Sequence, residues 1–327
     1  MGKSRKTINK RLNKSRKNNS SRIRKSEFKI GVQSLKTDNN KSKDSKAYKK
    51  LQCSPNPEKN NFSCFDNDDL FRLRDRWNMR HPDVEIKTND PKEIWTVLKN
   101  NLSNVCNKES CWLKQNFVTD KDSKDMIDSF APVSPKEWEK NPNEWLSSVD
   151  ILQVMKQYEK AYKCFEFLGP SPIDYNARVL YGECVFEEIC NFNLADQIKA
   201  GKTKVGLIFN TDTHDNPGKH WISMFINIKK GTIYFFDSAG DKIPANINKF
   251  VKNVKKQGTE LSKPINFTFD QNYPVEHQYG NTECGIYSLY FVVHMLEDKL
   301  TANYLKTHKI SDEYVNKFRK IYFNREL

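Results

Sequence analysis

The segment Gly285–Leu296 constrains the fold most, because it is apolar almost all round. A helix without a polar face must be buried on every side, so other elements have to enclose it. The 327 residues are enough for such a core, in one large domain or two small ones. No apolar run approaches the ~20 residues of a membrane span, which excludes an integral membrane protein. The N-terminus also lacks the apolar core of a secretory signal.

Basic charge is concentrated in the first 50 residues of the chain. They hold 18 of the 55 Lys and Arg residues and three acidic ones, whereas the remaining residues are close to neutral in sum. Only ten of these 50 residues are apolar, too few to offset the entropy lost on folding. We therefore predict a disordered basic tail over residues 1–50.

Three interpretations of this tail stay open. It can be an arm that binds the phosphates of DNA or RNA through counterion release. It can carry a nuclear-import signal, since Arg22, Arg24 and Lys25 cluster. It can also simply be a solubilising segment. Because aromatic residues are not interleaved with the basic ones, only non-specific binding of nucleic acid is expected.

The chain contains eight cysteines, at positions 53, 64, 106, 111, 164, 184, 190 and 284. Without a secretory signal we expect a reducing compartment, and hence free thiols packed as small apolar groups rather than disulfides. A group of potential metal ligands includes Cys53, Cys64, His81, Cys106 and Cys111. Their spacing matches no standard zinc module, so we predict neither a metal nor a cofactor.

Between the tail and the later part of the chain, we predict a mostly helical arm over residues 51–130. Residues 51–72 are rich in Asn, Asp and Pro, which is typical of a loop or linker. Short helical patterns containing Trp77, Trp95 and Trp112 follow. The role of this arm is left open between partner binding and stabilisation of the fold.

Helical patterns also begin the rest of the chain. The string from Ser134 to Glu137 is typical of a helix start. Apolar residues recur at helical spacing over Ser148–Tyr162, and a second helical pattern covers Arg178–Cys190. Between these patterns, Gly169-Pro170 is expected to end an element.

From about Lys204 the pattern changes to strands. Val205–Phe209 is a short apolar run, residues alternate over 222–228 and 233–237, and Lys229-Lys230-Gly231 between them predicts a hairpin turn. A helical stripe then runs from Ile247 to Gly258, and a strand pattern covers Pro264–Asp270. The order helix, strands, helix, strand, helix indicates an α+β fold, with the core over residues 131–327.

Three side chains are brought together by this arrangement. His220 begins one strand of the hairpin and Asp237 ends the other, so a carboxylate can orient the imidazole. Cys284 begins the buried helix, where the helix dipole favours a thiolate and Gly285 allows a substrate carbonyl to approach closely. Each residue alone has an ordinary structural explanation, but together they form the pattern of a thiol hydrolase.

This combination resembles the ubiquitin-like-protein-specific (deSUMOylase-type) cysteine proteases and their viral relatives. The matching segments are His220-Trp221, Asp237-Ser238-Ala239-Gly240, Gln278 and Cys284-Gly285, with Trp145-Leu146-Ser147-Ser148-Val149-Asp150-Ile151 upstream. The resemblance covers about residues 135–300. It implies a papain-like core, as in the adenovirus protease, with a central buried helix packed on a mixed sheet.

The resemblance also implies roles for these residues. Cys284 is expected to be the nucleophile, His220 the general base, Asp237 its orienting partner and Gln278 an oxyanion donor. Trp145 and Trp221 are expected to flank a narrow groove that admits Gly-Gly. The Trp-Leu-Asn-Asp pattern of the family reads Trp-Leu-Ser-Ser here, and this difference affects the substrate channel. Minor alternatives are His277 as the base, and Asp241 or Asp270 as the orienting partner.

The resemblance implies a cysteine endopeptidase that cleaves protein substrates after Gly-Gly, and we expect it to process viral structural precursors during virion maturation. An isopeptidase acting on host conjugates of ubiquitin-like modifiers is the alternative, and an inactive modifier-binding module is less favoured. The abundance of Lys over Arg, with 34 Asn, indicates an AT-rich genome. Together with the resemblance to the viral relatives, this implies a protease of a giant virus of the mimivirus kind. We expect the protein in the virion or the cytoplasmic viral factory, or alternatively in the host nucleus.

Overall fold

A five-stranded mixed sheet lies at the centre of the protein, whose structure is a computed structural model describing residues 47–57 and 60–327. The strands are β1 (Phe165–Pro172), β2 (Lys204–Asn210), β3 (Trp221–Asn227), β4 (Thr232–Phe236) and β5 (Thr268–Gln271), adjacent in that order. The pairs β1–β2 and β4–β5 are parallel, whereas β2–β3 and β3–β4 are antiparallel. This mixed sheet with helices confirms the predicted α+β class.

Helices surround the sheet. They are α1 (Asn67–Arg80), α2 (Pro91–Leu102), α3 (Asp120–Met126), α4 (Ser148–Ala161), α5 (Glu187–Cys190), α6 (Leu194–Lys199), α7 (Ala245–Glu260), α8 (Cys284–Leu296), α9 (Ala302–Thr307), α10 (Asp312–Asn316) and α11 (Arg319–Tyr322). All described residues belong to one compact unit. Within the described part of the chain, no helix is long and apolar enough to cross a membrane.

Two hydrophobic clusters form the core, one on each face of the sheet. Alternation along β3 decides which residue joins which cluster, because successive side chains of a strand point to opposite faces. Trp221 and Phe225 pack with α4 and α8, whereas Ile222, Met224 and Ile226 pack with α7. Helix α8 is buried along nearly its whole length, as its apolar sequence predicts.

The arm has its own hydrophobic cluster, built from α1, α2, α3 and the turn Glu109–Lys114 around buried Trp112. The C-terminal Asn324 connects this region to the core, because its side-chain amide donates to the Gln52 and Ala131 carbonyls, both at 2.8 Å. Helices α1, α2 and α3 all lie within residues 51–130. The predicted tail lies outside the described residues except for residues 47–50.

Four local predictions were wrong. Arg178–Cys190 is mostly loop and not a helix, because Tyr181 and Gly182 have φ angles of 64° and 78° that end any helical path. Gly169-Pro170 does not end an element but lies inside β1. Because β1 is an edge strand, it tolerates a proline. Helix α7 continues through Gly258, which leaves room for the Ile265 carbonyl. The expected helix start at Ser134 is only a 3-10 turn without a side-chain cap.

The expectation of free thiols was wrong for six of the eight cysteines. The structure contains the disulfides Cys53–Cys64, Cys106–Cys111 and Cys184–Cys190. Each pair is separated by 11 residues or fewer, so local turns bring the two thiols together. Cys164 and Cys284 are free. Four of the potential metal ligands are therefore consumed in disulfides.

Candidate active site

The β3–β4 hairpin brings His220 and Asp237 together at one end of these two strands. His220 directly precedes β3 and Asp237 directly follows β4, and the antiparallel register pairs Ser223 with Phe236. The imidazole Nε2 lies 2.7 Å from the Asp237 Oδ1. Asp237 is buried, whereas the His220 side chain is about a quarter exposed. The carboxylate can therefore fix the orientation of the ring while one side of it stays accessible.

Asn272, which follows β5, holds Asp237 in place. Its side-chain oxygen accepts from the Asp237 backbone N–H at 2.9 Å, and its side-chain amide donates to the Asp237 carbonyl at 2.6 Å. The Ala239 N–H also donates to Asp237 Oδ1 at 2.9 Å. Since Asn272 is fully buried, this pair of bonds is shielded from competing water.

Cys284 is the first residue of α8 and is buried beside His220, whose pKa is raised by the nearby thiol. Because Nε2 of His220 is occupied by Asp237, the other ring nitrogen, Nδ1, is the one available to the thiol. The structure thus brings Cys284, His220 and Asp237 together in the order that a nucleophile, its base and an orienting group require.

The electrostatics of this group favour a charged imidazole. Burial alone lowers the pKa of His220, but its hydrogen bonds and charge interactions with Asp237 and Cys284 outweigh that effect and raise the pKa to about 10. The imidazolium is therefore the main form at neutral pH. A thiolate on Cys284 is the complementary partner for such a cation.

The N-terminus of α8 is left open beside Cys284. Its N-cap residue, Glu283, makes no side-chain capping bond to the helix. The Glu283 carboxylate instead accepts from the Thr282 N–H at 3.0 Å and from the Asn316 amide at 3.2 Å. Backbone N–H groups at this end of the helix are thus positioned where a substrate oxyanion could be bound.

Gln278 is held rigidly nearby. Its side-chain oxygen accepts from the Ser238 hydroxyl at 2.7 Å, and its amide nitrogen donates to the Gly280 carbonyl at 2.8 Å. A backbone bond from the Gln278 N–H to the Ser238 carbonyl, at 2.9 Å, ties the same two segments together. One N–H of the side-chain amide therefore stays available as a donor.

Trp145 and Trp221 line one cleft of about 700 Å³. Trp221 is buried and its indole N–H donates to the Leu146 carbonyl at 3.0 Å, whereas Trp145 is 36% exposed. A Cβ added at Gly285 would lie 3.0 Å from Leu146 Cβ and 3.3 Å from Trp221 Cδ1. Helix α8 is therefore in close contact with Leu146 and Trp221.

The Ser-Ser difference from the family pattern leaves the start of α4 well formed. Ser147 is the N-cap, and its hydroxyl and backbone N–H lie 2.6 and 2.8 Å from Asp150 Oδ2. The Asp150 N–H returns a bond to the Ser147 hydroxyl, which completes a capping box. Trp145 is thus fixed two residues before a capped helix.

The alternative residues lie in other surroundings. His277 is completely buried, accepts from the Ile310 N–H at 3.1 Å, and has a pKa lowered to about 4 by burial. Asp270 is paired with Lys306 at 2.8 Å, and Asp241 is exposed. The carboxylate beside His220 belongs to Asp237.

The sequence did not reveal three residues of this region. Asn272 hydrogen-bonds to the Asp237 backbone, and the Ser238 hydroxyl donates to the Gln278 side chain. Arg319 donates to the Thr282 carbonyl, close to Cys284 in the sequence. Their partners lie far away in sequence, and neither Asn272 nor Arg319 belongs to a recognisable local motif. Ser238 alone carried a signal, since it stands inside the Asp-Ser-Ala-Gly segment.

Comparisons with known proteins agree with this site. Residues 201–326 match the Ulp1 protease family, C-terminal catalytic domain. The chain is 27% identical over 299 residues to a proposed thiol protease of Acanthamoeba polyphaga mimivirus, with 84% of this chain and 93% of the relative covered. It is 25% identical over 243 residues to a cysteine protease of African swine fever virus, with coverages of 70% and 86%.

A solved structure shows the same fold. The crystal structure of the African swine fever virus protease superimposes with a TM-score of 0.60 at 20% identity, over 84% of this chain and 95% of the other. This likeness concerns the fold, while the family match and the viral relatives concern the chemistry. Residues 201–326 therefore resemble the catalytic domain of the Ulp1 protease family, and the protein is a cysteine protease.

Proposed function

We propose that the protein is an endopeptidase that cleaves after Gly-Gly in protein substrates and processes structural precursors of a virus during virion maturation. The observation that carries this proposal is the hydrogen-bonded pair of His220 and Asp237, with Cys284 beside it at the start of α8 and a cleft lined by Trp145 and Trp221. The viral relatives favour a viral substrate.

In the proposed reaction, Cys284 Sγ attacks the carbonyl carbon of the scissile bond. The imidazolium of His220, which already holds the proton from the thiol, donates it to the leaving amine, and a thioester forms on Cys284. Asp237 keeps the imidazole in place and stabilises its charged form. Backbone N–H groups at the start of α8 and the Gln278 amide are the proposed donors to the oxyanion.

Hydrolysis of the thioester completes the cycle. His220 removes a proton from a water molecule, which attacks the thioester carbonyl, and the thiolate of Cys284 leaves. The carboxyl group formed belongs to the glycine that preceded the cut. No metal or cofactor is needed for these steps.

The preference for Gly-Gly follows from the lack of space around the nucleophile. Leu146 and Trp221 crowd Gly285 so closely that an added Cβ would lie 3.0–3.3 Å from their atoms, and Trp145 lines the same cleft as these two residues. Substrate residues without side chains are the ones that such walls admit. The 327-residue sequence contains no Gly-Gly pair, so the proposed specificity leaves the protease itself uncut.

An isopeptidase acting on conjugates of ubiquitin-like modifiers is the second candidate. One relative from African swine fever virus, 25% identical over 243 residues, is named as a SUMO-1 cysteine protease. The same catalytic group would serve either substrate, because both reactions transfer an acyl group from glycine. The two candidate functions differ in which part of the substrate protein binds outside the cleft.

A paired assay separates the two candidates. Purified protein is offered a Gly-Gly-containing peptide and, in parallel, ubiquitin-family proteins bearing a C-terminal vinyl sulfone. We expect peptide cleavage after the second glycine, with Cys284→Ala as the inactive control. Strong labelling by a modifier probe without any peptide cleavage would contradict the maturation proposal and favour the isopeptidase.

We further propose that the basic tail holds the enzyme non-specifically on nucleic acid in the virion or the cytoplasmic viral factory, with the host nucleus as the alternative location. The support is the excess of basic residues in the first 50.

Deletion of residues 1–46 tests this role, because it spares Tyr48 and Lys49, which contact the arm. Salt-sensitive DNA binding should be lost and peptide cleavage kept. Unchanged DNA affinity would reject this role.

A further inference from the structure

Arg319, at the start of α11, is a buried arginine next to the catalytic cysteine. The residue is only 5% exposed, although arginine is rarely buried. The guanidinium donates to the Glu144 carbonyl at 2.7 Å, to the Asn143 carbonyl at 3.3 Å and to the Thr282 carbonyl at 2.9 Å, and its Nε donates to the Asn316 side chain at 2.9 Å. These four acceptors are all uncharged.

These bonds connect the two sides of the active site. Thr282 lies two residues before Cys284, and Glu144 lies directly before Trp145. On the other side of Trp145, the Leu146 carbonyl accepts from the Trp221 indole at 3.0 Å. The backbone that carries Trp145 is therefore held at both ends, by Arg319 and by Trp221.

The charge of Arg319 is retained in this position. The guanidinium packs over the Trp138 ring, with 4.5 Å to the ring centroid. Burial lowers its pKa to about 10, against the opposing effects of Glu283, Cys284 and Glu144, so the group remains a cation at neutral pH. A buried cation without a bonded carboxylate has a large effect on nearby anions, because little water screens it.

Since the proposed function makes Cys284 the nucleophile, we propose that Arg319 is a positioning residue of the protease that also stabilises the Cys284 thiolate. Its neutral hydrogen bonds fix the Trp145 backbone relative to the nucleophile. Its charge acts on the sulfur through the low-dielectric interior, together with His220. Two cations, His220 and Arg319, thus interact with the cysteine.

Other charged groups in this region also interact electrostatically with His220 and Arg319. Asp237 stabilises the imidazolium of His220, and the carboxylates of Glu283 and Glu144 oppose a second anion near Arg319. The Glu144 carboxylate is turned toward the Asn141 amide and the Trp145 N–H. The Glu283 carboxylate is held by the bonds to Thr282 and Asn316 already described.

The test measures the rate at which iodoacetamide alkylates Cys284 as a function of pH, with the site of modification read by mass spectrometry. This readout depends on the thiolate and does not require the Gly-Gly specificity, so it can fail while the proposed function stands. The full-length protein is compared with Arg319→Lys, Arg319→Met and Arg319→Gln. Arg325→Met, at an exposed arginine near the C-terminus, is the matched control.

We expect the uncharged variants to shift the midpoint of alkylation upward by about one pH unit, which lowers the rate about tenfold at pH values below both midpoints. Arg319→Lys keeps the charge and should keep the midpoint, but it loses the planar fork and should raise KM for the Gly-Gly peptide. Thermal melts identify which variants fold. If only one of Arg319→Met and Arg319→Gln folds, that variant serves as the uncharged one.

Two results would overturn the proposal. A folded, uncharged variant with the wild-type midpoint would show that the charge does not act on Cys284. An Arg319→Lys variant whose midpoint shifts as far as that of the uncharged variants would assign the effect to geometry alone. A purely structural role would lower the alkylation rate equally at every pH.

Discussion

Replacing Asp237 by Asn removes the negative charge beside His220 while keeping an oxygen for the imidazole and for the Ala239 N–H. The hydrogen bond between the two side chains, at 2.7 Å, is one in which both partners are charged. Such bonds contribute about 1.5–3 kcal/mol to stability. We expect the free energy of unfolding at pH 7 to fall by about that amount and kcat to fall about 10²- to 10⁴-fold.

The pH dependence gives the sharper assay. Because the pKa of His220 is raised from its ordinary 6.5 to about 10, its contribution to stability is complete below pH 6.5 and is lost as the pH rises toward 10. The same deprotonation sets the alkaline limb of kcat/KM. In Asp237→Asn this limb should move to lower pH by at least about one unit, since the carboxylate no longer stabilises the imidazolium.

The matched control is Asp241→Asn, at an exposed aspartate four residues further along the chain. It should leave both the unfolding curve and the pH profile of kcat/KM unchanged. If Asp237→Asn kept the wild-type alkaline limb, the structural reasoning about His220 would be wrong. If the shift appeared in Asp241→Asn instead, the orienting carboxylate would have been misassigned.

Three further predictions concern the surroundings of the site. Asn272→Ala should lower the free energy of unfolding by about 2 kcal/mol in urea titrations and reduce kcat, because both bonds to Asp237 are lost; an unchanged midpoint would contradict this. Gly285→Ala should cost about 1–3 kcal/mol in the same assay, because the new methyl group would crowd Leu146; full stability would contradict the observed packing. Thiol titration of the denatured, unreduced protein should detect two free thiols, at Cys164 and Cys284, whereas eight would exclude the disulfides.

The catalytic group could be predicted from sequence because it depends on short-range patterns. Alternation along β3 and β4 and the turn between them define a hairpin, and a hairpin places His220 beside Asp237 whatever the rest of the chain does. The apolar sequence of α8 likewise required a buried helix that begins at Cys284. These two elements carry the three proposed catalytic residues.

The residues that support the site could not be predicted in this way. Asn272 acts on Asp237 from 35 residues away, and Arg319 acts on Glu144 from 175 residues away. Such contacts exist only after the sheet and the C-terminal helices have packed. Strand β1 was missed because Gly169-Pro170 interrupts its pattern, and an edge position in the sheet makes that interruption tolerable.

The central claim, that Cys284 is the nucleophile of a thiol protease, is tested most directly by trapping the enzyme with a Gly-Gly peptide aldehyde or vinyl sulfone and measuring its intact mass. Cys164→Ala, which removes the other free cysteine, is the control. We predict a single adduct in the wild type and in Cys164→Ala, and neither adduct nor peptide cleavage in Cys284→Ala. A Cys284→Ala protein that still cleaves the peptide would contradict the claim.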